Sequence, residues 1–503
     1  MSNTSVLLMI ITVGTKVFGL AREKALAHFF GTQAMSAIFL VAFSFPMVLS
    51  NLFSGTIASG FIPMYTHLEE ERGRGAADGF TLHLNLWVAL FSILLSLLAI
   101  VFARELVGLL SPGFSGEVFE TAVFMCRITA MSIISTAVGS IWKSYLQVRG
   151  AFIPSILHSV VMNTVLIVGM YLGRGGEPVI LAASIVAAFF LQYLIFIPGI
   201  WKVGFAPGAL KRPREELKSM GRLMLPILIS TSVLELNFLV NKALASEISL
   251  SGISILNYAT KIQGFITGIV VTSIITVLYP RMSREVEQGS LLKVSESFAE
   301  SASLMLALVL PASVGVMIFS EEIVRLLFLG GAFTEADVAA TGTVLLFYAA
   351  GLVATGLREI AIRIFYSMKE LKVPVVNGVV MVSLNILLSF LLSRSLGMRG
   401  FGIATSLSLF VGALDLFRIL RKRMPMEPVW GKLGNLLKIL LASLIMALAA
   451  RALYGYIQGI FSPALSLISA IGAAGGVYLL SALILKLDEL AILRGIFGKI
   501  FKK

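Results

Sequence analysis

The chain has 503 residues, of which 57% are hydrophobic and only 13% are charged. Soluble domains carry roughly 45–50% apolar and about 25% charged residues, so this composition excludes an ordinary soluble protein and indicates an integral membrane protein. The net charge of +13 comes mostly from short loops between apolar segments, which favours positive-inside topology over nucleic-acid binding. A single cysteine, Cys126, excludes an internal disulfide, and the four scattered histidines lack metal-ligand spacing. We therefore expect no metal and no cofactor.

About fourteen apolar segments are long enough, at roughly 20 residues each, to cross the hydrocarbon core of a bilayer. In chain order their approximate limits are 5–28, 34–66, 79–104, 119–144, 151–173, 177–201, 220–244, 251–280, 297–320, 337–365, 373–394, 399–420, 434–456 and 462–486. The first segment contains Lys16 and no small-residue cleavage pattern follows it, so we interpret it as a retained span and not as a signal peptide. The pattern predicts an all-α polytopic membrane protein.

The sequence repeats itself, with low similarity, at an offset of about 220 residues. FARELVGLL at Phe102–Leu110 returns as FSEEIVRLL at Phe319–Leu327, and KALA at Lys24–Ala27 returns at Lys242–Ala245. Six spans per repeat is an even number, so both copies would enter the membrane in the same sense, related by an axis along the membrane normal. Duplicated halves of this kind are a transporter architecture.

The repeat predicts the domain boundaries. Residues 1–206 and 223–425 would each form a six-helix lobe, 207–222 a basic cytoplasmic linker, and 426–503 two extra spans with a basic tail. Loops after even-numbered segments hold most of the cations, among them Arg72, Arg74, Arg149, Lys202, Lys211, Arg212, Arg214, Lys218, Arg281, Arg284, Lys369, Lys372, Arg421, Lys422 and Arg423. Because cytoplasmic loops carry the excess of Lys and Arg, both termini are predicted to be cytoplasmic.

The first span carries Lys16, Arg22, Glu23 and Lys24, and each charge costs about 2.5–3.5 kcal/mol at the centre of a membrane helix. At about 100° per residue Lys16 and Glu23 share a face, with Arg22 further round the helix, so geometry favours Lys16 over Arg22. One interpretation is a cationic cavity wall that binds an anionic substrate. The alternative is an ion network that only holds helices together, or side chains that reach the nearer interface. We favour the cavity.

In the second half Lys261, in the eighth span, is the preferred substrate-binding candidate. Asn241 in the seventh span and Asn385 in the eleventh leave two interpretations open: a coupling-cation site, or hydrogen bonding between helices, which we favour. The sequence has no GxxxxGK[ST] phosphate loop, no HExxH and no nucleophile elbow, so neither ATP-driven pumping nor enzyme catalysis is predicted.

Several segments, in the right order, resemble the MurJ (MviN) family of lipid II flippases within the MOP superfamily of multidrug, oligosaccharidyl-lipid and polysaccharide exporters. They are KVFGLARE at Lys16–Glu23, FFGTQAMSAIFLVAFSFP at Phe29–Pro46, FIP at Phe61–Pro63, LFLGGAFT at Leu327–Thr334 and FYSMKELKVP at Phe365–Pro374. The chain departs from the family at Ser36, usually Asp, and at Ser50 or Asn51 and Gly55, where the second helix usually carries Arg and then Glu. The eighth-span position usually held by Arg is Lys261.

The resemblance implies a flippase, not an enzyme, that moves the polyprenyl-diphosphate-linked peptidoglycan precursor lipid II across the bacterial cytoplasmic (inner) membrane. By resemblance Lys16, Arg22 and Lys261 would contact the diphosphate, Glu23 would position its neighbours, and Asn51 would stand in the substrate region. The implied partners are lipid II and membrane lipids, with a coupling cation left open. The rival functions are transport of another polyprenyl-linked polysaccharide unit, and cation-coupled multidrug export.

Overall fold

The computed structural model describes residues 3–208, 213–433, 435–487 and 489. Within these ranges the chain forms twenty α-helices and no β-strand. The predicted all-α membrane fold is therefore confirmed.

Nine helices precede the basic linker. They are α1 (Asn3–Phe30), α2 (Ala34–Arg72), α3 (Arg74–Val101), α4 (Ala103–Leu110), α5 (Gly116–Thr129), α6 (Ser132–Val148), α7 (Phe152–Leu172), α8 (Pro178–Leu191) and α9 (Phe196–Val203). Two long helices follow, α10 (Pro213–Ile248) and α11 (Gly252–Glu287).

The remaining helices are α12 (Leu291–Ile318), α13 (Ser320–Phe328), α14 (Glu335–Ala350), α15 (Leu352–Ser367), α16 (Lys372–Leu396), α17 (Arg399–Leu420), α18 (Glu427–Leu433), α19 (Leu436–Ile457) and α20 (Pro463–Ile484). Each predicted apolar segment lies on one long helix or on two consecutive ones. The short helices α4 and α13 coincide with the repeated FARELVGLL and FSEEIVRLL motifs.

Among the described residues, eight helices are long and apolar enough to cross a membrane, or ten if two bent pairs are counted as single spans. The other long helices, α1, α2, α10 and α11, have 28 to 39 residues each. The number of fourteen spans stays a prediction.

The two bent pairs occupy equivalent places in the repeat. α5 and α6 meet at 41°, and α14 and α15 meet at 40°. The breaks fall at Ala130–Met131 and at Gly351, although the sequence had predicted one continuous span over each pair. The duplication thus extends to main-chain geometry.

The helices pack into two compact units. Unit 1 contains residues 1–254 together with 330–334, and unit 2 contains 255–329 and 335–503. A core of unit 1 lies between α2, α3 and α6, where Phe61, Tyr65, Phe80 and Tyr145 are buried together. In unit 2, aromatic and small residues of α19 and α20 pack around Phe319. The domain limits predicted from the repeat stay a prediction.

Asp78, at the start of α3, fastens the segment after α9 to unit 1. Its fully buried carboxylate accepts hydrogen bonds from the Tyr65 hydroxyl, at 2.8 Å, and from the Ala206 main-chain N–H, at 3.0 Å. Arg74 lies 3.6 Å from the same carboxylate and donates to the Gly204 carbonyl at 2.6 Å. These hydrogen bonds and this ion pair therefore join the chain just after the sixth predicted span to the second and third spans.

The variant Asp78→Ala is expected to lower the free energy of unfolding by about 3–5 kcal/mol, because it leaves buried donors and a cation without their acceptor. Thermal unfolding in detergent measures this loss of stability. Glu70→Ala, which changes an exposed acid on α2, is the control. Equal melting temperatures for the two variants would contradict this role of Asp78.

Candidate functional site

Two charged residues of α1 are buried in unit 1. Arg22 is 8% exposed and Glu23 only 1%. The Arg22 guanidinium donates to the Glu23 carboxylate, and its central carbon lies 4.8 Å from the centre of the Phe43 ring on α2. The predicted neighbours Lys16 and Lys24 are both exposed. The structure thus joins Arg22 with Glu23 and leaves Lys16 outside this pair, although geometry from the sequence had favoured Lys16.

A second buried cation reaches the same part of α2 from α10. Lys242 is 6% exposed, and its ammonium donates to the Ser44 hydroxyl. The same ammonium lies 4.4 Å from the centre of the Phe238 ring. Burying an ammonium is costly unless hydrogen bonds and a nearby opposite charge compensate it, and an ionisable residue within a membrane helix is by default a functional candidate.

Phe43 and Ser44 are consecutive residues of α2, so one turn of this helix contacts both buried cations. Phe43 is itself held by Phe189, whose ring centre lies 5.6 Å away. We call Arg22, Glu23, Ser44 and Lys242 the cationic site. Arg22 has the Glu23 carboxylate beside it, and Lys242 interacts with the Glu235 carboxylate of the same helix. Both cations can donate charge-assisted hydrogen bonds to an anion such as a phosphate.

Further along α2 and α10, Asn51 hydrogen-bonds to the Glu235 carboxylate, which also interacts electrostatically with Lys242. The predicted Asn51 therefore lies beside acidic and basic groups of α10. Asn241 donates to Asn237, one turn away on the same helix, at 3.2 Å. These contacts extend a polar strip along α10 from the cationic site.

The candidates of the second half lie in unit 2. Lys261 on α11 is exposed. Asn385 is buried on α16 and donates to the Thr405 hydroxyl on α17 at 3.1 Å, a contact between helices. This geometry supports the favoured interpretation of Asn385 as a helix-to-helix hydrogen bond. In the part of the chain that the structure describes, no three His, Cys, Asp or Glu residues are grouped so that they could hold a metal ion.

An apolar groove of about 700 Å³ opens beside the cationic site in unit 1. Side chains of α2, α3, α4 and α10 line it, and every lining residue is apolar. Phe45 and Ala243 belong to the lining, and they directly follow Ser44 and Lys242 in the sequence. The groove and the two buried groups Ser44 and Lys242 thus lie on the same two helices, α2 and α10.

Comparisons with known proteins identify the family. The family model described as "Lipid II flippase MurJ" matches residues 26–471. The chain belongs to the MurJ family. It is 27% identical to a probable lipid II flippase MurJ of Rhizobium tropici, over 86% of this chain and 84% of the relative. It is 29% identical to the protein of that name from Rickettsia prowazekii, over 80% and 81%.

Solved structures agree on the MurJ fold. A structure of lipid II flippase MurJ in an inward closed conformation matches with a TM-score of 0.83 and 24% identity, over 96% of this chain and all of that chain. An inward-facing multidrug transporter of the MATE family, in the MOP superfamily, matches at 0.69 and 16%, over 81% and 94%. The predicted family is confirmed by the family model, and the fold is shared with a transporter of the MOP superfamily. The family match begins at residue 26, so the Lys16–Glu23 motif precedes it.

The sequence pointed to Lys242 only through the repeated KALA motif, and Lys261 was the preferred candidate of the second half. The available signal was the cost of a lysine within a long, mostly apolar helix. The repeat also aligned Lys242 with Lys24, but Lys24 is exposed, so equivalence in the repeat does not predict burial. Ser44 carried no signal, because a serine in a membrane helix commonly bonds to its own main chain.

Proposed function

We propose that the chain is a transporter, not an enzyme, that moves lipid II from the inner to the outer leaflet of the bacterial cytoplasmic membrane. The observation that carries this proposal is the match to the lipid II flippase family over residues 26–471. The alignments with curated relatives of that name cover 84% and 81% of those relatives, which supports the same activity for the whole chain.

The cationic site would bind the diphosphate of lipid II. Arg22 and Lys242 can supply charge-assisted hydrogen bonds to phosphate oxygens, while Glu23 holds the Arg22 guanidinium in place. Lys16 and Lys261, both exposed, would provide further cations along the route of the diphosphate. In this proposal Asn241 bonds within α10, Asn385 joins α16 to α17, and neither is a ligand of a coupling cation.

Transport would proceed by alternating access, with the head group exposed first to the cytoplasm and then to the outside. Both termini would be cytoplasmic. An inside-negative potential would then favour outward movement of an anion by about 2.3 kcal/mol per net charge per 100 mV. If cationic side chains travel with the head group, this help becomes smaller.

The apolar groove would hold part of the polyprenyl chain while the cationic site holds the diphosphate. Ala243→Trp, which fills the groove, is expected to slow lipid II transport by about tenfold or more, because a bulky ring displaces the hydrocarbon chain. Val168→Trp on α7, an exposed apolar residue outside the groove lining, is the control. Equal transport rates for the two variants would contradict this role of the groove.

Transport in proteoliposomes tests the function. Purified protein would be reconstituted with lipid II, or with a polyprenyl diphosphate that carries a neutral oligosaccharide, and the appearance of each at the opposite leaflet would be measured. Movement of lipid II alone, or much faster, supports the proposal. Equal or faster movement of the neutral-glycan lipid would support the polysaccharide alternative. A multidrug exporter would move neither lipid.

A further inference from the structure

Two short loops of unit 1 adopt the same turn at equivalent places of the repeat. In the first loop, after α4, the Phe114 N–H donates to the Ser111 carbonyl at 3.0 Å. In the second, after α13, the Phe333 N–H donates to the Gly330 carbonyl at 3.3 Å. Both phenylalanines are buried. Each pair of residues is related by an offset of 219, in agreement with the repeat.

Each loop contacts the C-terminal end of a long helix that belongs to the opposite repeat. In the first loop the Gly113 N–H donates to the Ser246 hydroxyl near the end of α10, at 3.1 Å. In the second, the Ala332 N–H donates to the His28 carbonyl near the end of α1, at 2.8 Å. His28 and Ser246 are themselves equivalent, since they differ by 218. The last carbonyls of a helix lack partners within it, so the second contact satisfies one of them.

A glycine makes each contact close. A Cβ on Gly113 would lie 1.9 Å from the Ser246 carbonyl oxygen, and a Cβ on Gly331 would lie 2.1 Å from the His28 carbonyl oxygen. Both clashes are with main chain, which cannot rotate away. Gly331 also has a φ of +62°, a conformation that L side chains rarely adopt. Gly113 and Gly331 lie at neighbouring positions of the two turns, because the turn residues are related by an offset of 219 and the glycines by 218.

The base of each loop is fixed by an ion pair between the helices that flank it. Arg104 on α4 lies 2.7 Å from Glu120 on α5. Arg325 lies 2.8 Å from Glu335. These arginines are not at equivalent repeat positions, so different residues join the flanking helices in the two halves.

We propose that the two loops are paired clasps that hold the C-terminal ends of α1 and α10, and that both must release during the transport cycle. In the proposed topology these ends face the outside, so the clasps keep the outer side closed while the cationic site loads. Each clasp combines a main-chain N–H donor, to the Ser246 hydroxyl or the His28 carbonyl, with a close glycine contact. Neither hydrogen bond involves a charged group, so neither depends on the ions or the anionic head group that pass nearby. The claim that the clasps close a path for lipid II rests on the proposed function. The claim that they open does not.

Thiol labelling in nanodiscs tests the opening without any substrate and from both faces of the membrane. In a Cys126→Ala background, the reporter Thr32→Cys lies beside the second clasp and Ser111→Cys lies within the first, and both positions are buried. Gly331→Ala and Gly113→Ala are each expected to raise maleimide labelling of the nearby reporter at least tenfold. Gly116→Ala places a side chain at a φ of +55° in open space, and Gly108→Ala adds one without a clash, so both controls should label slowly.

A disulfide between His28→Cys and Ala332→Cys tests the need for release. Transport is expected to stop in the oxidised protein and to return with a reductant. Undiminished transport by the cross-linked protein, or equal labelling of the clasp variants and their controls, would overturn the proposal. Failure of the unmodified protein to move lipid II, with the labelling difference intact, would instead count against the proposed substrate and leave the clasps in place.

Discussion

Replacing Arg22 and Glu23 together with neutral side chains, as R22M/E23Q, is expected to abolish lipid II transport while the protein stays folded. Both residues are buried and form an ion pair. Replacement of a buried ion pair by neutral side chains of similar size is often neutral or even stabilising by about 1–4 kcal/mol. Transport needs the guanidinium itself, because a diphosphate that crosses hydrocarbon requires a cationic partner. Thermal unfolding and proteoliposome transport measure the two effects separately.

The single variant Arg22→Ala is the necessary comparison. It leaves the Glu23 carboxylate buried without its partner, which costs about 3–5 kcal/mol of stability. Loss of transport in that variant alone could therefore follow from misfolding. Transport at the unmodified rate by R22M/E23Q would show that the pair only holds α1 in place, and it would remove Arg22 from the cationic site.

Replacing Lys242 with methionine is expected to reduce lipid II transport by about ten- to a hundredfold. Charge-assisted hydrogen bonds contribute about 1.5–3 kcal/mol, and each 1.4 kcal/mol is a factor of ten. Methionine keeps the length and the contact with Phe238 but cannot donate to Ser44 or to a phosphate. The initial rate of lipid II movement in proteoliposomes is the measurement.

Lys24→Met is the matched control for this variant. Lys24 occupies the equivalent position of the repeat and carries the same charge, but it is exposed. The two variants have the same net charge, so a general electrostatic effect would slow both equally. A selective loss in Lys242→Met supports the cationic site, and equal rates would place substrate binding elsewhere.

The positions of the helices could be predicted from the sequence because length and hydropathy decide them. Each apolar segment is long enough to need a helix in lipid, where every main-chain group must be satisfied within the segment. The breaks at Ala130–Met131 and Gly351 could not be predicted in this way, since both lie inside continuous apolar runs. At Gly351 the break depends on close packing, because a Cβ there would lie 2.8 Å from the Ser406 hydroxyl oxygen.

The sequence indicated only two of the four residues of the cationic site. Arg22 and Glu23 stood out as charges inside an apolar helix, and an ion network was the alternative to the favoured cavity, although helix geometry placed the two on different faces. Long side chains can lean together from adjacent positions when burial makes separate charges costly. Lys242 is joined to Ser44 across a separation of 198 residues, and such a contact follows from tertiary packing and not from local pattern.

The most direct test of the cationic site is equilibrium binding by purified protein in mild detergent. Lipid II, a polyprenyl diphosphate with a neutral oligosaccharide and a polyprenyl monophosphate would be compared on the unmodified protein, Lys242→Met and R22M/E23Q. We expect tightest binding of lipid II, weaker binding of the monophosphate, and loss of that preference in both variants. Equal binding of the monophosphate and the diphosphates, unchanged in the variants, would contradict recognition of the diphosphate by Arg22 and Lys242.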